Sequence, residues 1–138
     1  PENIILAEGR WDQPVIVDFG LAKQPFDRGL TDPNMLIGTP GYMAPEVILG
    51  KPLAPSAELF ALGLVVRFAL TGREVFPDLG GMALLRALMT RPVDLPGHIS
   101  HELRAVLRRL VQIDPARRTP SAAHVLLDLD ALDAQRPL

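Results

Sequence analysis

Two short runs of mainly β-branched and other apolar residues open the chain, at residues 3–6 and 15–17. The eight residues between them include Gly9 and Asp12, residue types that are frequent in turns. Short β-branched runs on either side of a turn-forming segment are typical of two antiparallel strands. The pattern therefore predicts a β-hairpin at the start of the chain.

The apolar alternation ends at Asp18-Phe19-Gly20, and residues 21–45 show neither a helical nor a strand period. Proline and glycine recur along this segment, and both interrupt regular secondary structure. We therefore expect a long irregular loop here. Loops of this length within a compact domain are usually functional.

The longest apolar stretch, Leu59–Leu70, contains a single charged residue, Arg67. It is shorter than the roughly 20 residues that a helix needs to span a bilayer. The stretch therefore predicts a helix that runs through a protein core, with Ser56 as its N-cap.

Three further helices are predicted from apolar spacing and capping residues. A short one covers Met82–Met89, and a one-sided one begins after Ser100 as N-cap and ends at Asp114. Thr119 followed by proline predicts the start of a last helix, which runs to about Leu132. The apolar positions of the one-sided helix are Leu103, Val106, Leu107, Leu110 and Val111. The predicted fold class is mainly α with a small β-hairpin, an α+β arrangement.

Composition and charge narrow the possible functions of the 138 residues, which fit one domain or part of one. Fourteen basic against sixteen acidic residues give a net charge of −2, which argues against nucleic acid or an anionic membrane as the main partner. The absence of cysteine excludes disulfides, thiolate metal sites and cysteine nucleophiles. His98 and His101 lack a third metal ligand and are predicted to be surface residues. The chain shows no signal peptide or membrane segment, so we expect a cytoplasmic location, with an anchor outside this chain left open.

Asn3 and Asp18 stand on the two arms of the predicted hairpin. Where two strands end side by side, an amide oxygen and a carboxylate can converge on one Mg²⁺ ion that carries phosphate oxygens. Taken singly, each is an ordinary turn or strand-edge residue, and Asp-Phe-Gly alone is a weak motif. The interpretation as a metal site therefore depends on the motifs that follow.

Residues 38–46, Gly-Thr-Pro-Gly-Tyr-Met-Ala-Pro-Glu, form a far more specific motif. The motif begins 20 residues after the aspartate of Asp-Phe-Gly, and it closely resembles the end of the activation segment in protein kinases. The whole chain resembles the large lobe of a serine/threonine protein kinase of the bacterial, eukaryotic-like type, starting within the catalytic loop. Further matching segments are residues 1–3 at the tail of that loop, 57–63 and 70–73 at the start and exit of the central helix, and 114–118 before the final helix.

The resemblance implies that ATP and Mg²⁺ are the cofactors. It assigns Asn3 and Asp18 to the metal ions that bridge the phosphates of ATP. On the same resemblance, the backbone of Glu2 lies near the ribose, and Ile5 forms the apolar floor beneath the adenine. The residues by themselves leave open two structural roles for Glu2 and Ile5, as hairpin edge and core strand.

Four more residues gain roles from the resemblance. Thr39 matches the threonine that contacts the catalytic aspartate and lysine in serine/threonine kinases. Glu46 and Arg118 match an ion pair that ties the activation segment to the helical base, whereas a generic pair would be solvated. Thr31 lies where an activating phosphate often occurs, and an ordinary loop hydroxyl is the equal alternative.

Two departures from the family pattern bear on function. Glu58 stands where the central helix normally begins with an aspartate that anchors the catalytic loop. The catalytic-base aspartate, five residues before the loop asparagine, has its place upstream of Pro1. Neither Lys23 nor Lys51 has the position of the lysine that binds ATP. We therefore expect a truncated chain that is inactive as it stands.

These observations predict a partial kinase domain over residues 1–132, lacking the small lobe and the start of the catalytic loop, and a tail over residues 133–138. The predicted function is that of a fragment of an enzyme that transfers the γ-phosphoryl group of ATP to serine or threonine of protein substrates. The alternatives are a noncatalytic lobe that acts as an interaction module and an inert fragment. Asn3, Asp18 and Thr39 favour the enzyme, because a pure scaffold has no chemical need for all three.

Overall fold

The computed structural model describes residues 2–17 and 40–134. Within these ranges, an antiparallel hairpin is followed by five α-helices. The strands are β1 (Ile4–Leu6) and β2 (Pro14–Ile16), and the helices are α1 (Pro45–Ile48), α2 (Pro55–Thr71), α3 (Gly81–Thr90), α4 (His101–Leu110) and α5 (Ala122–Ala134). Short 3₁₀ turns cover Ala7–Gly9, Pro40–Tyr42 and Pro115–Arg117. This mainly helical fold with one small hairpin confirms the predicted fold class.

The hairpin has a register that its hydrogen bonds define. Ile5 of β1 faces Val15 of β2 directly. Beyond the strands, the backbone N–H of Val17 donates to the carbonyl oxygen of Asn3 at 2.8 Å, which extends the pairing by one position. The predicted hairpin is therefore confirmed, with strands that span residues 4–6 and 14–16.

Helix α2 is the predicted central helix, but it begins at a different residue. Ala54 is its N-cap and Pro55 takes the first helical position, so Ser56 lies inside the first turn and does not cap it. Proline suits that position because its missing N–H would have no helical partner there. Gly72 ends the helix in the left-handed conformation, with φ of 65°. The buried residues of α2 lie between residues 57 and 64, and Val66 and Leu70 pack against the same core while partly buried, so the predicted core position holds most strongly for the first part of the helix.

Helices α3 and α4 confirm the two helices predicted from apolar spacing, and α3 extends one residue beyond the predicted range at each end. The hydroxyl of Ser100 accepts the backbone N–H of Leu103 at 3.2 Å, which is the predicted cap. Helix α4 ends at Leu110, before the predicted end. Asp114 instead caps the next 3₁₀ turn by accepting the N–H of Ala116 at 3.0 Å.

The start of the last helix differs from the prediction. Helix α5 begins at Ala122, where the hydroxyl of Ser121 accepts the N–H of His124 at 3.4 Å. Thr119 is only 4% exposed, and its buried hydroxyl has no hydrogen-bond partner among the described residues, so it does not cap this helix. The predicted tail boundary at residue 132 stays a prediction, and α5 continues to Ala134.

The segment predicted to be an irregular loop ends in a short helix that the sequence pattern did not predict. Helix α1 follows the Pro40–Tyr42 turn, with a proline at its first position. Residues 18–39, which make up most of that segment, lie outside the described residues. Across the two described ranges, no helix is long and apolar enough to cross a membrane.

The described core is formed by the helices. All five contribute buried apolar residues to one cluster, and no residue of the hairpin strands belongs to it. Helices α2 and α4 approach closely at Gly63, where a Cβ atom would lie 2.7 Å from Cγ1 of Val111 and 3.0 Å from Cβ of Leu110. Glycine permits this approach because it has no side chain. The largest fully buried side chains are Phe60, Leu88, Leu107 and Leu110.

Candidate functional site

At the open end of the hairpin, the residue before β1 and the residue after β2 lie side by side. Asn3 precedes β1 and Val17 follows β2, and the hydrogen bond between their backbones holds them together. Asn3 is exposed, so its side-chain amide is accessible. Asp18 follows Val17 directly in the chain but lies outside the described residues. An amide and a carboxylate are the hard oxygen ligands that Mg²⁺ prefers, so the donor chemistry of this pair fits the metal.

An apolar face of the hairpin stands beside this end. Because Ile5 and Val15 are directly opposed, their side chains project from the same face. They are 53% and 48% exposed, which excludes the core-strand role for Ile5. Glu2, beside Asn3, is also exposed. The face is open to a ligand.

The Pro40–Tyr42 turn is held in place by a contact that sequence spacing did not predict. The hydroxyl of Tyr42 donates to Oε1 of Glu74 at 3.0 Å, across 32 residues of sequence. Burial and this hydrogen bond raise the pKa of Tyr42 above its ordinary value, so the hydroxyl stays protonated as a donor. The contact ties the middle of the residue 38–46 motif to the segment after α2. No local pattern marks Glu74 as the partner.

Glu46 and Arg118 form a buried bidentate ion pair. Nη1 and Nη2 of Arg118 donate to the two carboxylate oxygens of Glu46 at 2.5 Å and 2.7 Å. Their side chains are 0% and 7% exposed for Arg118 and Glu46 respectively. Burial raises the pKa of Glu46, but the hydrogen bonds and positive charge of Arg118, a backbone hydrogen bond and the charge of Lys51 together outweigh burial and hold that pKa below its ordinary value. The structure therefore brings these two predicted site residues together.

Arg118 also organises the elements around it. It donates to the carbonyl oxygens of Gln112 at 2.6 Å, Ile113 at 3.0 Å and Ser56 at 3.1 Å. With the two bonds to its carboxylate partner, these match the five N–H donors of a guanidinium group. Its guanidinium carbon lies 4.8 Å from the centre of the Phe60 ring, which adds a cation–π contact. One side chain thus joins α1, the start of α2 and the connection between α4 and α5.

Three predicted site residues, Asp18, Thr31 and Thr39, lie outside the described residues. Their roles stay predictions. Of the residues predicted to contact ATP or its metal ions, the structure therefore describes Glu2, Asn3 and Ile5 at the hairpin.

Two histidines and one glutamate singled out from the sequence lie on the surface. His98 and His101 are exposed, as predicted. Residues 2–17 and 40–134 contain no group of three or more histidine, cysteine, aspartate or glutamate residues that could hold a metal. Glu58 is exposed in the first turn of α2, where a carboxylate interacts favourably with the helix dipole.

Comparison with protein families gives a match to the protein kinase domain over residues 1–128. Among curated relatives, the human cAMP-dependent protein kinase catalytic subunit PRKX is 33% identical over 118 residues, covering 86% of this chain and 31% of that protein. The probable serine/threonine-protein kinase PkwA of Thermomonospora curvata is 33% identical over 129 residues, covering 94% and 17%. The serine/threonine-protein kinase Pkn1 of Myxococcus xanthus is 36% identical over 114 residues, covering 80% and 16%. The chain spans less than a third of the length of each of these three relatives.

Proposed function

Because this chain belongs to the protein kinase family and forms part of a kinase domain, we propose that the intact protein transfers the γ-phosphoryl group of ATP to serine or threonine side chains of proteins. The observation that carries the proposal is the family match over residues 1–128. Relatives described as serine/threonine kinases, two of them bacterial, support the choice of acceptor side chain.

Asn3 and Asp18 are the proposed ligands of Mg²⁺. The hydrogen bond from Val17 to Asn3 supports this assignment, since it brings Asn3 beside the residue that precedes Asp18. When bound, Mg²⁺ would neutralise charge on the phosphate oxygens of ATP. The part of the two side chains is to fix the position of the phosphates, and positioning supplies much of the rate enhancement in this chemistry.

The proposed nucleotide contacts lie on the adjoining part of the hairpin. Ile5 would provide an apolar surface for the adenine, and the backbone of Glu2 would lie near the ribose. The half-exposed, directly opposed side chains of Ile5 and Val15 support this role, because an aromatic ring that covers them would remove apolar surface from water.

Thr39 and Thr31 are proposed to act in the activation segment. The Thr39 hydroxyl would position the catalytic aspartate and lysine, whose places in the family pattern precede residue 1. Phosphorylation of Thr31 would add about −1.5 to −2 charges, which an arginine could pair with. The Glu46–Arg118 pair would tie the end of this segment to the helical base.

A substitution in the intact protein tests the proposed metal site. With labelled ATP, Mg²⁺ and a generic basic protein as acceptor, Asp18→Asn should lower phosphoryl transfer by roughly a hundredfold or more, because it removes a charge that holds the metal. Asp12→Asn is the matched control. Asp12 is exposed at the hairpin tip, where it pairs with Arg10 at 2.7 Å, so transfer should stay within about twofold.

The outcomes separate the candidate functions. Unchanged transfer in Asp18→Asn would contradict the proposed site, and no transfer by the intact protein would favour the noncatalytic interaction module. The 138-residue chain by itself lacks the positions of the base and of the ATP-binding lysine, so it should give no signal above a blank. Turnover by this chain that Asp18→Ala abolishes would overturn the account.

The two threonines should give different results in the intact protein. Thr39→Ala should nearly abolish transfer, because its hydroxyl is assigned to the catalytic site. Thr31→Ala should lower transfer and leave ATP binding largely intact. Mass spectrometry after autophosphorylation gives a direct measurement: an active enzyme with unmodified Thr31 would contradict the proposed regulation and leave the kinase assignment standing.

A further inference from the structure

A cleft of about 390 Å³ lies along α4, and none of the hairpin residues assigned to ATP lines it. It is lined by Ile99, His101, Arg104, Ala105 and Arg108. The four helical residues among these are spaced by three or four positions or lie beside one another, so they share one side of α4. Three of the five side chains can carry positive charge, and none of these lining residues is acidic. The cleft therefore offers a site for an anion.

Arg104 supplies the sharpest indication of a ligand. Its Nη2 donates to the carbonyl oxygen of Gly97 at 2.8 Å, which fixes the guanidinium group. Its Nε–H is buried and has no hydrogen-bond partner within residues 2–17 and 40–134. A buried N–H without a partner is unfavourable, and a rotation of the Arg104 side chain, which lines the cleft, would present this N–H to an oxygen acceptor bound there.

Arg108 is the second arginine that lines the cleft. In the described ranges no carboxylate lies within ion-pair distance of Arg108, whereas the next residue, Arg109, pairs with Asp128. Arg108 and His101 are exposed, so both are accessible to a ligand from solvent. Arginine matches phosphate geometry well because its planar group presents paired donors.

We propose that this cleft binds a phosphate monoester dianion. Arg104 and Arg108 would donate charge-assisted hydrogen bonds to the phosphate oxygens, and His101 would line the edge of the site. Ile99 and Ala105 give the cleft an apolar part, which would contact the group that carries the phosphate. That carrier is either a phosphorylated side chain of a protein or a small free phosphate compound. The proposal concerns binding and no transfer step, so it stands or fails independently of the proposed kinase activity.

The test is a titration of the ¹⁵N-labelled chain followed by the Nε–H signals of arginine in NMR spectra. The probes are inorganic phosphate, an alanine-rich peptide with one phosphoserine, and the same peptide with serine. Phosphate and phosphopeptide should shift the Arg104 Nε–H signal saturably at roughly millimolar concentrations, while the serine peptide should not. A phosphopeptide that binds about fivefold or more tightly than phosphate identifies a protein-borne group, and equal affinities identify a small free phosphate compound.

Substitutions test whether phosphate binds in this cleft. Arg108→Gln alters an exposed side chain and should weaken binding by roughly fivefold to tenfold. Arg91→Gln is the matched control, since Arg91 is exposed after α3 and does not line the cleft, and its affinity should stay within about twofold. Arg104→Lys keeps the charge and removes the Nε–H, so its binding should also weaken, as measured from backbone amide shifts. A circular dichroism melt of each variant shows that it is folded.

Two results would overturn the proposal. One is the absence of saturable shifts with both phosphate probes up to about 20 mM. The other is equal loss of affinity in Arg91→Gln and Arg108→Gln, which would indicate nonspecific attraction to surface charge.

Discussion

The hairpin and the helical base of this protein expose apolar surface to very different degrees. In the hairpin, Ile5 is 53% exposed, Ile16 is 60% exposed and Trp11 is 74% exposed. At the base, Phe60 is fully buried and the Glu46–Arg118 pair lies among buried apolar residues. The hairpin is joined mainly by backbone hydrogen bonds between two three-residue strands, whereas the base is joined by side chains from every described helix.

This difference in exposure indicates which region contributes mainly to stability and which mainly to ligand binding. A two-stranded hairpin alone is marginally stable in water, so its open face suits ligand contact better than structural support. The base combines dense packing with a fully hydrogen-bonded guanidinium group, and such networks rigidify a structure when every member is satisfied. We therefore expect substitutions at the base to affect mainly folding, and substitutions at the hairpin to affect mainly ligand binding.

The largest expected effect comes from breaking the buried ion pair. Arg118→Met should lower the free energy of unfolding by about 3–5 kcal/mol, because it leaves the Glu46 carboxylate buried without its partner. Chemical denaturation measures this change. Arg109→Met is the matched control, since it breaks the half-exposed pair with Asp128 and should cost less than about 1 kcal/mol.

A double variant sharpens this measurement. Glu46→Gln combined with Arg118→Met should be less destabilised than Arg118→Met alone, because no buried charge remains. A loss below about 1 kcal/mol in Arg118→Met would contradict the importance of the pair for the base.

The close contact of α2 and α4 should give the next largest effect. In Gly63→Ala the new methyl group would meet Val111 and Leu110, so the helices must separate, at a cost of about 1–3 kcal/mol. Gly97→Ala has open space around its new methyl group, no left-handed φ and an exposed position outside the helices, so it should change stability by less than about 0.5 kcal/mol. Equal thermal midpoints for the two variants would show that α2 and α4 can move apart at Gly63 without loss of stability.

A smaller effect is expected from pH. The pKa of Glu46 is lower in the folded state than the ordinary value of about 4.3. Its charged form therefore stabilises the fold fully above that ordinary value, and the contribution is lost as the pH falls through the folded pKa. The difference in unfolding free energy between wild type and Glu46→Gln should thus be constant near neutral pH and shrink below about pH 4.

Leu107→Ala provides the control for the pH series, because it truncates a buried side chain and removes no charged group. Its difference in unfolding free energy from the wild type should not change with pH. A difference for Glu46→Gln that does not change with pH would contradict the role of the ionised Glu46 carboxylate.

The smallest effect on stability is expected at the hairpin. Ile5→Thr should change the free energy of unfolding by less than about 0.5 kcal/mol, because the side chain is half-exposed. Leu107→Ala, which truncates a side chain only 2% exposed, should cost about 2–5 kcal/mol. In the intact protein, Ile5→Thr should still weaken ATP binding severalfold. A destabilisation as large as that of Leu107→Ala would abolish the distinction between the two regions.

Local patterns along the chain were sufficient to predict the hairpin, the helices from residue 81 to 110 and the Ser100 cap. These features depend on side-chain periodicity and on hydrogen bonds between neighbouring residues. They also determined the family, since the residue 38–46 motif and the segments around it keep a fixed order and spacing. The Glu46–Arg118 pair came from that resemblance and not from any local pattern.

Contacts between distant segments were decided only by the tertiary structure. Thr119 does not cap α5, because the helix begins only at Ala122 and Ser121 accepts the N–H of its first turn. Tyr42 meets Glu74 because the chain returns after α2. The exposure of Ile5 and the close approach of α2 and α4 at Gly63 also depend on contacts between distant segments. An amino-acid sequence specifies which residues can be buried or hydrogen-bonded, but the partner that each one meets depends on how separate helices pack against one another.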